Sequence, residues 1–562
     1  MGARGRPLGA WALPAYSAAL TLAVLAPLLG RGFVLGYDMV FAPEQSFVPD
    51  AFGLGALPRS VPADAVVALA THVVPGDIVQ KIVLALALFF AACGAGRLVP
   101  TEHTGTRLVA ASAYAWTAYI AERLFIGHWP LLLTYACLPW IAKVGIALRN
   151  GEKALPRLVL ACAPAVLTPP GGILAALTAI VSAGPRRLPP TLGIAVLLNL
   201  PWLVPTFLQT STLSDPAGVS AFGAKAEGWG PAFLSVLGLG GIWNSEVVPG
   251  SRTGPIAPLL VFVTVAVAIA GFRPLARRWG TGPARSLVLL GIAGVLIASL
   301  ASLPFGESLL TWAMAHIPGA GLLRDAQKWV AWWALPLSMG FALAVETAAQ
   351  RLQTARARVA LVAIAAVFPI LAMPDLAWGG WGRLASVEYP GDWAKVSEVL
   401  SADGRPGDVL ALPLSTFRKF AWNDYRTQLD PASRALPKPV LIDDTLRVGT
   451  EAIAGEDPRL TAVRAAASAP DLTKAGVGWL LVEHGTPGRV DPRWLADATE
   501  VWSGQWLTLY RTPGEPTVKA LPWLAVFVAN GLALATILTA VLLRMLPMRT
   551  LFRGRISLPR KE

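Results

Sequence analysis

The chain has 562 residues, 54% of them hydrophobic and only 14% charged, with a formal net charge of +13. A soluble domain carries roughly 25% charged residues, so the composition excludes an ordinary soluble globular protein. The basic excess falls in short segments between apolar runs, which excludes a nucleic-acid tract and matches the loop bias of a polytopic membrane protein.

In chain order, apolar runs at 8–30, 78–98, 107–121, 129–148, 188–208, 255–272, 286–303, 329–349, 359–376 and 520–543 are long enough to be read as membrane spans. The first follows a basic start and reads as a retained span, since no small-residue cleavage signal precedes Arg31. Between 157 and 183 the apolar pattern is interrupted by Thr168-Pro169-Pro170-Gly171-Gly172. Proline removes a backbone donor and clashes with the preceding turn, so this segment is expected as two short helices, forming either a re-entrant hairpin or two short spans. The fold class expected is a polytopic α-helical membrane protein of about ten to twelve spans, with a small α/β domain before the last span.

Basic clusters assign the orientation. Arg4 and Arg6, Arg97 and Arg107, Lys143 to Arg157, Arg186 and Arg187, Arg273 to Arg285, Arg351 to Arg358, and the tail from Arg544 through Arg549, Arg553, Arg555, Arg560 and Lys561 fall on one side if both termini are cytoplasmic. The opposite side then receives segments 31–77, 209–254, 304–328 and 377–518. The expected domains are a membrane part, 1–376, with a long first external loop at 31–77; an extracytoplasmic α/β domain, 377–518; a final span, 519–545; and a basic cytoplasmic tail, 546–562. In the α/β domain the runs Val409 to Pro413, Gly478 to Glu483 and Trp506 to Arg511 read as strands, with helical stretches at Pro390 to Leu400 and Asp457 to Ala467. Cys93, Cys137 and Cys162 all lie in apolar runs, without the spacing of a disulfide framework or a metal site.

Three constellations carry chemistry. Asp38, preceded by Tyr37 and followed by Glu44 in RGFVLGYDMVFAPEQSFVPD, places an acid just outside the first span, where it suits a general base or, alternatively, a helix cap. The outer turn Glu122-Arg123-Leu124-Phe125-Ile126-Gly127-His128-Trp129 joins a cation, an imidazole and an interfacial tryptophan. In Leu322-Leu323-Arg324-Asp325-Ala326-Gln327-Lys328-Trp329, Arg324 and Lys328 are spaced to share a helix face and hold a phosphate, or to anchor the span by pairing with Asp325 or lipid headgroups. Phosphate-loop, HExxH and GxSxG motifs are missing, which removes support for an ATP-driven pump, a zinc protease and an α/β-hydrolase.

LGYDMV after the first span, the outer RLFIGHWPLLLTYACLPW, the TPPGG break, LLRDAQKW before a late span, and the final α/β domain together resemble the integral-membrane glycosyltransferases of the GT-C superfamily, in particular actinobacterial arabinofuranosyltransferase-like and mannosyltransferase-like members. The resemblance implies transfer of a sugar from a polyprenyl-phosphate donor to a cell-envelope glycan or glycolipid, at the outer face of the plasma membrane. It implies an acid in the first external loop as catalytic base, a role that maps onto Asp38. Beside it, the residues themselves are read with Glu44 as substitute base, a donor phosphate held by Arg324 and Lys328 with help from Arg123 and His128, and a substrate cavity that includes Tyr37, Trp129 and Asp325. The family is metal-variable or metal-independent, so no metal ligand is assigned and a divalent cation stays open as a cofactor. Asp38 and Glu44 do not form an adjacent acidic pair, and no carbohydrate-binding β-sandwich follows the α/β domain. Two rivals from other classes are a lipid or polysaccharide transporter, which needs a lined path through the bilayer, and a non-catalytic scaffold for envelope assembly. An enzyme needs Asp38, His128 and Arg324 brought together around one externally open cavity.

Overall fold

The computed structural model describes residues 9–55, 58–209, 214–448, 451–457, 459–518 and 520–546. Arg4, Arg6 and the tail cations Arg549, Arg553, Arg555, Arg560 and Lys561 lie outside the described residues. Among the described residues nine helices are long and apolar enough to cross a membrane: Ala10–Leu28, Gly76–Leu98, Trp129–Arg149, Pro185–Leu208, Ala257–Trp279, Thr281–Leu300, Ala326–Arg351, Ala355–Ala372 and Trp523–Met545. The protein is a multi-pass membrane protein with a sheet-containing domain before its last helix.

Ala326–Arg351 is the central helix and is almost wholly enclosed by its neighbours. Lipid supplies no hydrophobic force between helices, so close backbone approach through small residues has to hold such a bundle. Gly340 and Gly271 make one such crossing: a Cβ on Gly340 would lie 2.3 Å from the Ala268 carbonyl oxygen, and one on Gly271 would lie 1.8 Å from the Gly340 carbonyl oxygen. Gly340→Val should therefore cost about 1–3 kcal/mol by overpacking. The check is its melting temperature in detergent, which should fall clearly below that of the parent; an unchanged value would show that the crossing can relax.

The run at 107–121, expected as one span, is instead two helices, Thr104–Ala115 and Ala118–Phe125. No proline or glycine marks the break. Trp116 leaves helical geometry, and the Thr117 side chain accepts the Ile120 N–H, capping a second helix. This redirection aims Glu122 and Arg123 at the start of the central helix, where Asp325 and Gln327 meet them. The Pro-Pro-Gly-Gly break is where the sequence places it, between Leu155–Ala165 and Pro169–Ala183, with Thr168 capping the latter. The turn reaches the loop that carries Asp38, because the Leu167 carbonyl accepts the Ala63 N–H at 3.1 Å. The far end of Pro169–Ala183 lies beside Arg149, so the pair runs from the basic end of the bundle to the Asp38 end and back.

In the α/β domain a five-stranded sheet has the order Thr499–Ser503, Leu507–Arg511, Val477–Glu483, Asp408–Leu412, Val440–Leu441. Asp408–Leu412 is parallel to both of its neighbours, while Leu507–Arg511 is antiparallel to both of its own. The helix Gly391–Ala402 covers one face through Trp393, Val396 and Leu400. Val463 and Leu472, from Arg459–Ala465 and Ala469–Lys474, cover the other. The three strands read from sequence are present, whereas the short Val440–Leu441 and the polar Thr499–Ser503 carry little alternation to reveal them. Among the contacts that bind this domain to the first loop, two are made backbone to backbone. Phe33–Val34 pairs antiparallel with Ser386–Val387, and Tyr37 exchanges backbone hydrogen bonds with Thr427 and Leu429. Behind the latter, the buried Arg418 guanidinium lies between Asp430 at 2.7 Å and Glu483 at 2.5 Å.

Candidate functional site

The residue before Asp38 is locked by the α/β domain. Tyr37 has φ +46°, a conformation uncommon outside glycine, and its N–H donates to Thr427 O while its own carbonyl accepts from Leu429 N–H. Its hydroxyl donates a short hydrogen bond to Glu246, and burial together with that carboxylate pushes the phenol up to about 12. Asp38 is then fixed from below by its own N–H, which donates to Ile126 O at 3.0 Å. Gly127 (φ +84°) permits this approach, since a Cβ there would meet the Met39 nitrogen at 2.0 Å. The GYDM turn and the Gly-His turn are thus pressed together by backbone contacts.

From Asp38 a continuous chain of polar side chains runs inward. Asp38 Oδ2 lies 2.8 Å from His128 Nε2, and His128 Nδ1 lies 2.6 Å from Arg123 Nη1. A guanidinium only donates, so Nδ1 accepts and the imidazole proton resides on Nε2, aimed at Asp38. His128 is therefore a neutral, single-tautomer donor, and Asp38 is its carboxylate acceptor. The fully buried Arg123 also donates to both Asp325 oxygens, at 2.6 and 3.0 Å, and to Gln327 Oε1. Burial acts to raise the Asp325 carboxyl, but the Arg123 guanidinium overrides it and holds Asp325 well below the usual carboxylate range. Gln327 passes the chain to Glu122 at 3.0 Å. Burial, then the charge of Glu227, pushes the Glu122 carboxyl well up, and Glu227 is itself paired with Arg252 at 2.6 Å.

The positions expected from sequence divide accordingly. Asp38, His128, Arg123 and Asp325 come together, and Trp129 packs its ring against Phe41 at 5.1 Å beside them. The Asp38 side chain is bound by His128 and caps no backbone N–H among the described residues, so the helix-cap alternative is not what is found. Arg123 and His128, expected as helpers at a phosphate, have their polar atoms committed within the protein, because each faces the next member of the chain. Arg324 does not pair with Asp325; it meets Glu456 of the α/β domain at 3.2 Å and lies over the Phe222 ring at 4.6 Å. Lys328 is buried with its ammonium 5.7 Å from the Trp329 ring, and among the described residues it donates no hydrogen bond. Glu44 meets His72 at 3.6 Å and shares no contact with the Asp38 chain among the described residues. No group of three or more His, Cys, Asp or Glu side chains among the described residues is arranged as a metal-ligand set.

Sequence reasoning missed Arg59, Glu227, Arg252 and Glu456. A usable signal existed for Arg59 and Arg252, which lie in segments 31–77 and 209–254, on the side the charge rule leaves poor in cations. No pattern marked the two acids. A small cavity of about 80 Å³ opens behind Leu239 and Arg252, among Ala113, Trp116, Leu337 and Phe341; its lining is mostly apolar and does not include Asp38.

The bundle and sheet domain share their fold with a solved membrane arabinofuranosyltransferase. The arabinofuranosyltransferase AftD from Mycobacteria superposes with a TM-score of 0.55 at 16% identity, over 92% of this chain and 40% of AftD. A variant of the same enzyme gives 0.53 at 18% identity, over 92% and 42%. The oligosaccharyltransferase AglB of Archaeoglobus fulgidus is more distant, with a TM-score of 0.36 at 13% identity over 84% of this chain and 69% of AglB. No family model and no curated protein sequence matches the chain. The fold is GT-C-like, and the chain spans about two fifths of the length of AftD.

Proposed function

We propose that the chain is a glycosyltransferase that moves a sugar from a polyprenyl-phosphate donor to a cell-envelope glycan or glycolipid at the outer face of the plasma membrane. The observation that carries this reading is the Asp38 carboxylate, oriented by a neutral His128 that Arg123 fixes in one tautomer, with Arg324 and Lys328 on the segment that pairs with Arg123. Fold alone does not assign an activity, and the chemistry of this cluster is what points to group transfer.

In this reading the acceptor hydroxyl attacks the anomeric carbon as Asp38 takes its proton, the bond from that carbon to the phosphate oxygen breaks, and polyprenyl phosphate leaves with the electron pair. One Asp38 oxygen is held by His128, and the other makes no hydrogen bond among the described residues, which leaves it free for the acceptor. Arg324 and Lys328 offset the charge growing on the departing phosphate. Arg123 and His128 are positioning residues. The arginine distribution favours cytoplasmic termini, with 31–77 and 377–518 outside and 1–376 as the membrane part. Likeness to an arabinofuranosyltransferase makes a polyprenyl-linked arabinofuranose the first donor to try.

The test is purified protein in a bilayer, supplied with a panel of radiolabelled polyprenyl-phosphate sugars and membrane acceptor lipids. One donor should give free polyprenyl phosphate in step with sugar incorporated. Incorporation from none of them, with folded protein, would contradict the reading.

A further inference from the structure

A second cavity lies at the end of the bundle opposite Asp38. Gly76–Leu98 starts against the first loop, where the Gly76 N–H donates to Pro43 O at 3.0 Å, and it finishes at the basic end with Arg97 in its last turn. A cavity of about 620 Å³ opens there, among Arg97, Thr101, Lys143, Arg278 and Glu346. Its charges do not cancel. Arg278 pairs with Glu346 at 2.7 Å, and that carboxylate also accepts from Thr101 at 2.7 Å and has His103 at 3.7 Å. Beside them Arg107 donates to Thr101 O at 2.8 Å, Lys143 donates to Arg97 O at 2.8 Å, and the Arg97 guanidinium lies over the Trp140 ring at 5.2 Å. Among the described residues none of these three cations forms an ion pair. The one other carboxylate of the lining, Glu102, is exposed and pairs with none of them.

An apolar stripe leads along the membrane face into this cluster. Ile82, Leu86 and Phe90 are exposed and, at spacings of four, share a face of Gly76–Leu98 with the exposed Arg97, seven residues on. From Ile82 to Phe90 the stripe runs about 12 Å, most of one leaflet of a hydrocarbon core about 30 Å thick. Trp140 joins stripe to cations. Its ring meets Phe90 edge-on at 5.9 Å, its Nε1 donates to Phe90 O at 3.0 Å, and it lies across Gly94, where a Cβ would come within 2.5 Å of that nitrogen. A phospholipid has the same order, an acyl chain and then a phosphate. Basic pockets between spans suit anionic headgroups, and three cations against one carboxylate disfavour a zwitterionic lipid, whose ammonium adds to the excess. We infer that Arg97 and Lys143, backed by Arg107, hold the phosphate of an anionic phospholipid whose acyl chain lies on Ile82, Leu86 and Phe90. This site is separate from the sugar-transfer chemistry and stands at the other end of the bundle.

The experiment is native mass spectrometry of the full chain, delipidated in a neutral detergent and titrated with phosphatidylglycerol, phosphatidylcholine or inorganic phosphate. The parent should retain one phosphatidylglycerol in preference to phosphatidylcholine, and inorganic phosphate should neither bind nor compete. Arg97→Gln and Lys143→Gln should each weaken phosphatidylglycerol binding about five-fold and together about twenty-five-fold, the scale of a basic residue at an anionic lipid surface. Arg186→Gln, which removes an exposed cation at the same end but outside the cavity, should leave it unchanged. Melting curves identify any variant that fails to fold; should Lys143→Gln fail, Arg97→Gln decides, because the Arg97 guanidinium donates no hydrogen bond among the described residues. Equal loss in Arg186→Gln would reduce the effect to the general charge of this end, and inorganic phosphate binding in place of lipid would make the cavity a seat for a soluble anion. Either result, or unchanged phosphatidylglycerol affinity in folded Arg97→Gln, overturns the proposal.

Discussion

Asp38→Asn is expected to lower sugar transfer about a hundred- to ten-thousand-fold, the range over which a positioned general base acts, while donor binding and expression are retained. The variant is nearly isosteric, and its amide oxygen can still accept the His128 Nε2 proton, so the local geometry has a reason to persist. What it loses is the ability to take a proton. An acceptor hydroxyl is a weak nucleophile, and proton removal must accompany its attack within hydrogen-bond reach. Asp38 is half-exposed, unlike the rest of the chain behind it, and is therefore open to an acceptor. Initial rates at saturating donor, with donor affinity measured separately, check the claim. Near-normal transfer would remove Asp38 from the chemistry.

Arg123→Ala is expected to have the largest effect on stability. Removing one partner of a buried ion pair costs about 3–5 kcal/mol, because the remaining charge is left uncompensated. Arg123 is fully buried, and its loss strands Asp325, orphans Gln327 Oε1 and frees His128 Nδ1. With Nδ1 free, the imidazole can change tautomer or protonate, and Asp38 loses its defined donor. Arg123→Lys keeps a charge but cannot bridge Asp325, Gln327 and His128 at once, so it should fold better than the alanine variant and still transfer slowly. The pair also has a pH signature. Because the folded Asp325 carboxyl is held below its ordinary value, its stabilisation is present above the unfolded carboxylate pKa of about 3.9 and is lost as pH falls. Arg123→Lys should flatten that acid limb of the melting temperature. An unchanged melting temperature and rate in Arg123→Ala would show that the chain of contacts is not needed.

Much of this was legible in the residues, and the limits have physical causes. Charge where the bilayer model makes it costly exposed Asp38, Arg123, Arg324 and Lys328. The pairing of Asp38 with His128 spans 90 positions and that of Arg123 with Asp325 spans 202, so it follows from how the helices pack and not from any local pattern. Taken locally, Arg123 and His128 suit a phosphate; in the fold each faces its neighbour in the chain of side chains that ends at Asp38. Apolar residues on both sides make the 107–121 segment look continuous and hide a break whose only mark is the Thr117 cap. Pro169-Pro170-Gly171-Gly172, by contrast, announces its break through backbone chemistry that no packing can override. Glu456 carries no local signal, because the acid lies between strands and its partners, Arg59 and Arg324, come from distant segments.

The most direct test of the account is a single-turnover measurement on protein loaded with its labelled donor and then mixed with acceptor. The parent should convert bound donor to glycosylated acceptor and free polyprenyl phosphate, and Asp38→Asn should hold the same donor largely unreacted over that time. Equal conversion by both proteins, or hydrolysis of the donor by the parent with no sugar on the acceptor, would contradict Asp38 as the base of a glycosyl transfer.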